Sequence, residues 1–105
     1  MKAMILQPKK GKTDEEIAAA RERAIAALEN KEYKIFPTFA GEGFSPEVCK
    51  QLLTINPPLM CLGYFLLSMS YCDTAYFCNG WELDRECRLE HAAAEEYGLS
   101  ILYEE

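Results

Sequence analysis

The sequence has little positive charge and none of the residue spacing that metal and phosphate-loop sites require. Lysine and arginine number 11 against 17 aspartates and glutamates, which gives a formal net charge of −6. Nucleic-acid-binding proteins usually carry a basic face that displaces counterions, so this balance argues against a nucleic acid polymer as partner. His91 is the single histidine, and the cysteines form no C-x-x-C. We therefore expect no metal site and no cofactor.

The sequence also lacks a long hydrophobic run and the cysteine framework of a secreted protein. The longest apolar run, from about Pro57 to Met69, is too short to span a bilayer and is interrupted by Gly63. The five cysteines are odd in number, and several lie in apolar segments where a thiol packs as a small hydrophobic group. The N-terminal residues lack the apolar length of a signal peptide. We expect a cytoplasmic protein with no membrane partner.

What is present fits a single α/β domain spanning residues 1–105. Apolar segments predict strands at 2–6, 33–37, 74–78 and 99–103, and patterning predicts helices at about 13–31, from Ser45, at 58–71 and at 84–98. This alternation predicts a parallel sheet with right-handed crossovers and helices on both faces. The expected strand order is 2-1-3-4, as in a small flavodoxin- or Rossmann-like three-layer sandwich.

In open parallel sheets, ligands bind beyond the carboxyl ends of the strands, where the strand order reverses. Here that crevice lies between the first and third strands, and two loops border it, 7–12 and 79–84. The candidate ligand-binding residues in these loops are Gln7, Pro8, Lys10, Gly11, Asn79, Gly80 and Trp81. Three lysines surround Gly11 without the P-loop spacing, so they form either a solvated loop or a cationic site for a phosphate. Trp81 either stacks on a ligand or fills the core.

The last predicted helix carries two acids on its inward face. The residues that share this face by helical period are Asp84, Cys87, Glu90, His91, Ala94 and Tyr97. A carboxylate on the buried side of a helix is costly unless it is paired or faces a cavity. Glu90 therefore either pairs with a base such as Arg88 or faces the crevice. Asp84 is either the helix N-cap or a second acid at the site. Cys87 and His91 are packed residues or ligand contacts.

The predicted helix at 58–71 is apolar nearly all the way round. A helix without a polar face is usually buried on two sides. In a domain of this size, the second side is expected to meet another copy of the chain, so we predict a dimer or larger oligomer.

Residues 73–98 resemble the nucleoside 2-deoxyribosyltransferase-like superfamily, and within it a small branch of proteins from phages and gut bacteria. The likeness rests on DTAYFCNGW at 73–81, on Asp84 and Glu90 six positions apart, and on the AA pair at 92–93 followed by Gly98. In the superfamily, a strand that begins with Asp leads into a helix with the pattern D-x-G-[TA]-x-x-E. The sequence departs from the pattern at Glu86, which stands at the Gly position, and in its lysine-rich first loop.

The resemblance implies that Glu90 matches the nucleophile that attacks the anomeric carbon and that Asp84 matches the acid that holds or protonates the base. It implies an N-glycosidase or deoxyribosyltransferase acting on a nucleoside or nucleotide in a bacterial or phage-infected cell. An alternative is a catalytically silent protein that sequesters a nucleotide-derived signal, such as an ADP-ribose derivative or a cyclic nucleotide. A third interpretation is an oligomeric interaction module with a vestigial crevice.

Overall fold

The computed structural model describes residues 1–36 and 55–105, and these form a parallel sheet in the order β2-β1-β3-β4. The strands are β1 (Lys2–Leu6), β2 (Lys34–Ile35), β3 (Thr74–Phe77) and β4 (Ser100–Tyr103). β1 pairs with β3 from Ala3 opposite Thr74 to Leu6 opposite Phe77, and β3 continues in register with β4. The predicted α/β class and strand order are confirmed.

The described helices are α1 (Asp14–Asn30), α2 (Pro57–Met69) and α3 (Arg85–Glu96), and a short 3-10 turn at Trp81–Leu83 leads into α3. A capping box begins α1. The Thr13 hydroxyl accepts from the Glu16 N–H at 3.1 Å, while the Glu16 carboxylate accepts from the Thr13 N–H at 2.9 Å. The short helix predicted from Ser45 lies outside the described residues. None of the described helices is long and apolar enough to cross a membrane.

Side chains alternate along the strands and form two core layers, one on each face of the sheet. On one face, α1 covers a layer made of Ala3, Ile5, Ala24, Leu28, Tyr76 and Cys78. On the other face, α2 and α3 cover a layer made of Met4, Leu6, Met69, Ala75, Phe77 and Ala94. β1 and β3 are the central strands, and both are buried from above and below, as their continuous apolar sequences predict.

Two details differ from the sequence expectation. Tyr97 was expected on the inward face of the last helix, but it is 85% exposed because the helix ends at Glu96 and Tyr97 belongs to the cap. Within the part of the chain that the structure describes, the second strand is shorter than predicted, since its pairing with β1 covers Lys34 and Ile35.

Candidate functional site

The carboxyl ends of β1 and β3 bring the two predicted loops together. Cys78 donates its N–H to the Leu6 carbonyl at 3.0 Å, which carries the pairing one residue beyond β3. Gly80 has a φ of +91°, and a Cβ built there would lie 3.5 Å from Cγ of Pro8. The loops that follow the first and third strands are therefore neighbours at the point where the strand order reverses.

Glu90 lies in the middle of α3 and is 3% exposed, so its side chain points into the protein as the helical period predicts. Cys87 and Ala94, one turn to either side, are the other buried residues of this helix. Because Glu90 shares the buried face of α3 with Cys87 and Ala94, its carboxyl group lies on the α2–α3 side of the sheet.

The electrostatic surroundings of Glu90 favour its protonated form. Loss of water on burial, together with the nearby carboxylates of Asp84 and Glu86, raises the pKa of Glu90 to about 8. The Lys9 ammonium and a hydrogen bond with Cys87 act in the opposite direction and are outweighed. At neutral pH Glu90 is therefore mainly a neutral acid, able to donate a hydrogen bond or a proton.

Lys9 is the cation that acts on Glu90, and it reaches the α2 side of the sheet. Its Nζ lies 5.8 Å from the ring centroid of Phe65 on α2. Burial, followed by the nearby charge of Arg21, lowers the pKa of Lys9, whereas Glu90 raises it. The sequence argument selected Lys10 from this loop, and Lys10 is exposed. The spacing of Lys9, Lys10 and Lys12 in the sequence does not predict which of them turns inward.

Asp84 is the N-cap of α3, because its Oδ2 accepts from the Cys87 N–H at 2.9 Å. Helix capping is one of the two roles predicted for Asp84. The Asp84 carboxylate is also close enough to Glu90 to raise the pKa of Glu90. Glu86, at the position where the resembled pattern has Gly, forms an ion pair with Arg85 at 2.7 Å. Burial, with the adjacent charges of Glu90 and Asp84, raises the pKa of the Cys87 thiol, so Cys87 is an unreactive thiol at neutral pH.

Trp81 and His91 pack against each other in an aromatic cluster, which we define as Phe77, Trp81, His91 and Tyr103. The Trp81 and His91 rings stack with centroids 4.1 Å apart and an interplanar angle of 16°. His91 Nε2 lies 2.7 Å from the Tyr103 hydroxyl, and Nδ1 lies 3.2 Å from the Glu95 carboxylate. One face of Trp81 is therefore covered by the imidazole, and both ring nitrogens of His91 have partners.

A groove of about 230 Å³ lies at the same edge on the opposite, α1 side of the sheet. Its lining residues are Pro8, Lys12, Glu16, Ala19, Ala20, Arg23, Cys78, Asn79 and Glu104. The volume is below the roughly 300 Å³ at which sites for whole drug-sized ligands begin, so it suits one small chemical group.

Only two of the predicted ligand-binding residues, Pro8 and Asn79, line this groove. Gln7 instead donates from Nε2 to the Ile17 carbonyl at 2.9 Å and so ties the first loop to α1. Gly11 is exposed in that loop with a φ of +78°. Glu90 and Asp84 are not among the lining residues. The structure thus separates the predicted site residues into a group on the α3 side and a group at the groove.

Sequence reasoning missed the groove residues contributed by α1 and by the chain after β4. Neither Arg23, within the helix predicted at 13–31, nor Glu104, after the last predicted strand, is among the predicted site residues. The sequence predicts the strand order, but it does not predict which side chains of α1 and of the chain after β4 turn toward the carboxyl end of β3.

No family model, curated protein or solved structure matches this chain. The likeness to the nucleoside 2-deoxyribosyltransferase-like superfamily therefore depends on the pattern within residues 73–98.

Proposed function

We propose that the protein binds a nucleoside- or nucleotide-derived small molecule at the carboxyl edge of its sheet, in the cytoplasm of a bacterial or phage-infected cell. The observation that carries this proposal is the burial of Glu90 on the inward face of α3, where the charge of Lys9 acts on it. A buried acid and a partly desolvated cation are more often found at binding and catalytic sites than in an inert core. The proposal is also supported by the position of Lys9 in the loop after β1, since ligands of open parallel sheets bind beyond the carboxyl ends of the strands where the strand order reverses.

Glycosidic cleavage is the reaction that the family resemblance adds to this binding function. An oxygen of the Glu90 carboxylate forms a bond to the anomeric carbon as the C–N bond breaks, and the base, held by Asp84, leaves with the electron pair and takes a proton from solvent. Water or a second base then attacks the anomeric carbon and releases Glu90. The first step requires ionised Glu90, and the Lys9 ammonium is the group that favours that form.

Binding without turnover is the second candidate function, and two observations favour it. The pKa of about 8 keeps Glu90 mainly protonated at neutral pH, which makes it a poor nucleophile and a good hydrogen-bond donor. Glu86, paired with Arg85, stands where the resembled enzymes have a Gly that admits the sugar. A protein of this kind sequesters an intact nucleotide-derived signal, such as an ADP-ribose derivative or a cyclic nucleotide.

One experiment separates these functions. The protein is incubated with nucleosides, nucleotides and ADP-ribose derivatives, and chromatography follows free base while thermal unfolding reports binding. Base release that is lost in Glu90→Gln but kept in Glu96→Gln, an exposed acid of the same helix, supports the enzyme. Stabilisation by a ligand that is recovered intact supports sequestration. If no compound in the panel stabilises the protein or is cleaved, the proposal is wrong.

We also propose that a second copy of the chain covers the outer side of α2. Leu59 and Leu67 on this helix are exposed in the single chain, although its sequence is apolar nearly all round. Light scattering at micromolar concentration is expected to give a dimer or larger, and Leu67→Lys is expected to shift it to monomer. A wild-type monomer would contradict the proposal.

A further inference from the structure

The carboxylate of Glu104 occupies a pair of hydrogen-bond donors at the rim of the groove. Its Oε1 accepts from the backbone N–H of Asn79 at 2.8 Å, and its Oε2 accepts from Nε of Arg23 at 3.1 Å. One donor belongs to the loop after β3 and the other to α1. Both oxygens are therefore held by elements distant in sequence from Glu104.

The backbone fixes Glu104 in this place. Its N–H donates to the Phe77 carbonyl at 2.9 Å and so extends the β3–β4 pairing by one residue. The side chain of Glu104 is only 11% exposed, whereas Glu105 is exposed to solvent. Glu104 points inward and Glu105 points outward because successive side chains of an extended chain point in opposite directions.

The donors that hold Glu104 are those that bind anionic oxygens in general. A backbone N–H at the end of a strand, together with a guanidinium, forms short, charge-assisted hydrogen bonds to phosphate or carboxylate oxygens. Lys12 lines the same groove and adds a second cation. Glu16, an acid in the lining, is committed to the capping box with Thr13.

We propose that the groove is an anion subsite that accepts a phosphate or other anionic oxygen group of a ligand, with Glu104 as an internal competitor for it. The incoming group replaces the Glu104 carboxylate on the Asn79 N–H and Arg23, beside Lys12. Because Glu104 is tethered, it competes at a high effective concentration and weakens the binding of a free anion. This subsite lies on the α1 side of the sheet and does not depend on a role for Glu90.

The test compares inorganic phosphate binding to wild-type protein, Glu104→Gln and Glu105→Gln at constant ionic strength by calorimetry. Both substitutions remove one negative charge from the same end of the chain, but only the first frees Arg23. We expect Glu104→Gln to bind phosphate about tenfold more tightly than wild type, Glu105→Gln to match wild type, and Glu104→Gln combined with Arg23→Gln to lose the gain. Equal binding by the two single variants, or a gain that survives loss of Arg23, overturns the proposal.

Nuclear magnetic resonance locates the anion and covers the case in which Glu104→Gln fails to fold. A phosphate titration of wild-type protein is expected to shift the Asn79 amide resonance, and Arg23→Gln is expected to abolish that shift. Acetate in place of phosphate distinguishes the source of the oxygens, since tighter phosphate binding assigns the subsite to phosphate groups and equal binding assigns it to anionic oxygens generally. No Asn79 shift at the highest soluble phosphate concentration overturns the proposal.

Discussion

The two sides of the sheet's carboxyl edge hold their acids in opposite ways. On the α1 side, Glu104 meets Arg23, whose side chain is 60% exposed, and the Asn79 N–H, so its charge is compensated. On the α3 side, Glu90 is buried near Asp84 and Glu86, and its pKa rises to about 8. One acid is therefore held by a cation and a backbone donor, and the other lies in surroundings that raise its pKa.

The largest expected effect comes from removing the ring at the centre of the α3 side. Phe77 is fully buried and lies 4.9 Å from His91 and 5.4 Å from Trp81 between ring centroids. Phe77→Ala leaves a cavity beside the other three rings of the aromatic cluster and is expected to lower the free energy of unfolding by about 3–5 kcal/mol. Urea denaturation measures this loss. Tyr97→Ala, which removes an exposed ring at the end of α3, is expected to change stability by no more than about 0.5 kcal/mol. Equal losses in both variants would show that Phe77 is not the packing centre.

The titration of Glu90 gives the next largest effect. It tests whether the surroundings of this acid favour its protonated form. The native pKa of about 8 lies above the ordinary value of 4.5, so the folded state binds the proton more tightly than the unfolded state. Stability from this group is therefore present at low pH and is lost as pH rises from about 4.5 to about 8.

Glu90→Gln removes that dependence. Relative to wild type, the variant is expected to be nearly neutral at low pH and more stable by about 2–4 kcal/mol above the native pKa, as measured by denaturation across pH. Glu96→Gln, at an exposed position of the same helix, is expected to give a difference that does not vary with pH. A flat difference for Glu90→Gln as well would mean that Glu90 is ionised in the native protein throughout this range.

A smaller effect is expected at Gly80, in the turn that follows β3 and lies beside Pro8. Its φ of +91° strains any residue with a side chain, although a Cβ would meet Pro8 only at ordinary contact distance. Gly80→Ala is expected to cost about 1–2 kcal/mol by thermal or urea unfolding. Gly63→Ala is the matched control, because Gly63 lies within α2 with nothing near its Cβ and is expected to stabilise by about 0.5–1 kcal/mol. A stabilising Gly80→Ala would contradict the left-handed turn.

The smallest effect is expected for the ion pair at the groove. Arg23→Gln is expected to lower the free energy of unfolding by less than about 1 kcal/mol, because the guanidinium is largely exposed and screened. Denaturation at low ionic strength and in about 1 M salt checks this, since screening should remove most of the difference. A loss of several kcal/mol that persists in salt would mean that the pair supports the fold rather than an exchangeable anion position.

The fold was predictable from the sequence because its signals are local. The continuous apolar segments of β1 and β3, the Thr13 capping box and the helical period that turns Glu90 inward are each readable within one element. The contacts of the candidate site are not local. Lys9 turns toward Phe65 on α2, and Glu104 reaches Arg23 on α1 across 81 positions. Such directions depend on how elements pack, and a sequence pattern within one element does not encode them.

The pairing of β1 with β3 has a consequence for how the chain folds. Lys2 donates its N–H to the Asp73 side chain across 71 positions, and the strand pairing begins at the same place. The centre of the sheet therefore forms only after a long loop closes, which costs chain entropy before any contact compensates for it. Ile5→Val in β1 is expected to slow refolding in stopped-flow experiments, whereas Leu28→Ala in α1 is expected mainly to speed unfolding. During synthesis, β1 therefore remains without its main partner while the 71 positions that separate Lys2 from Asp73 are added.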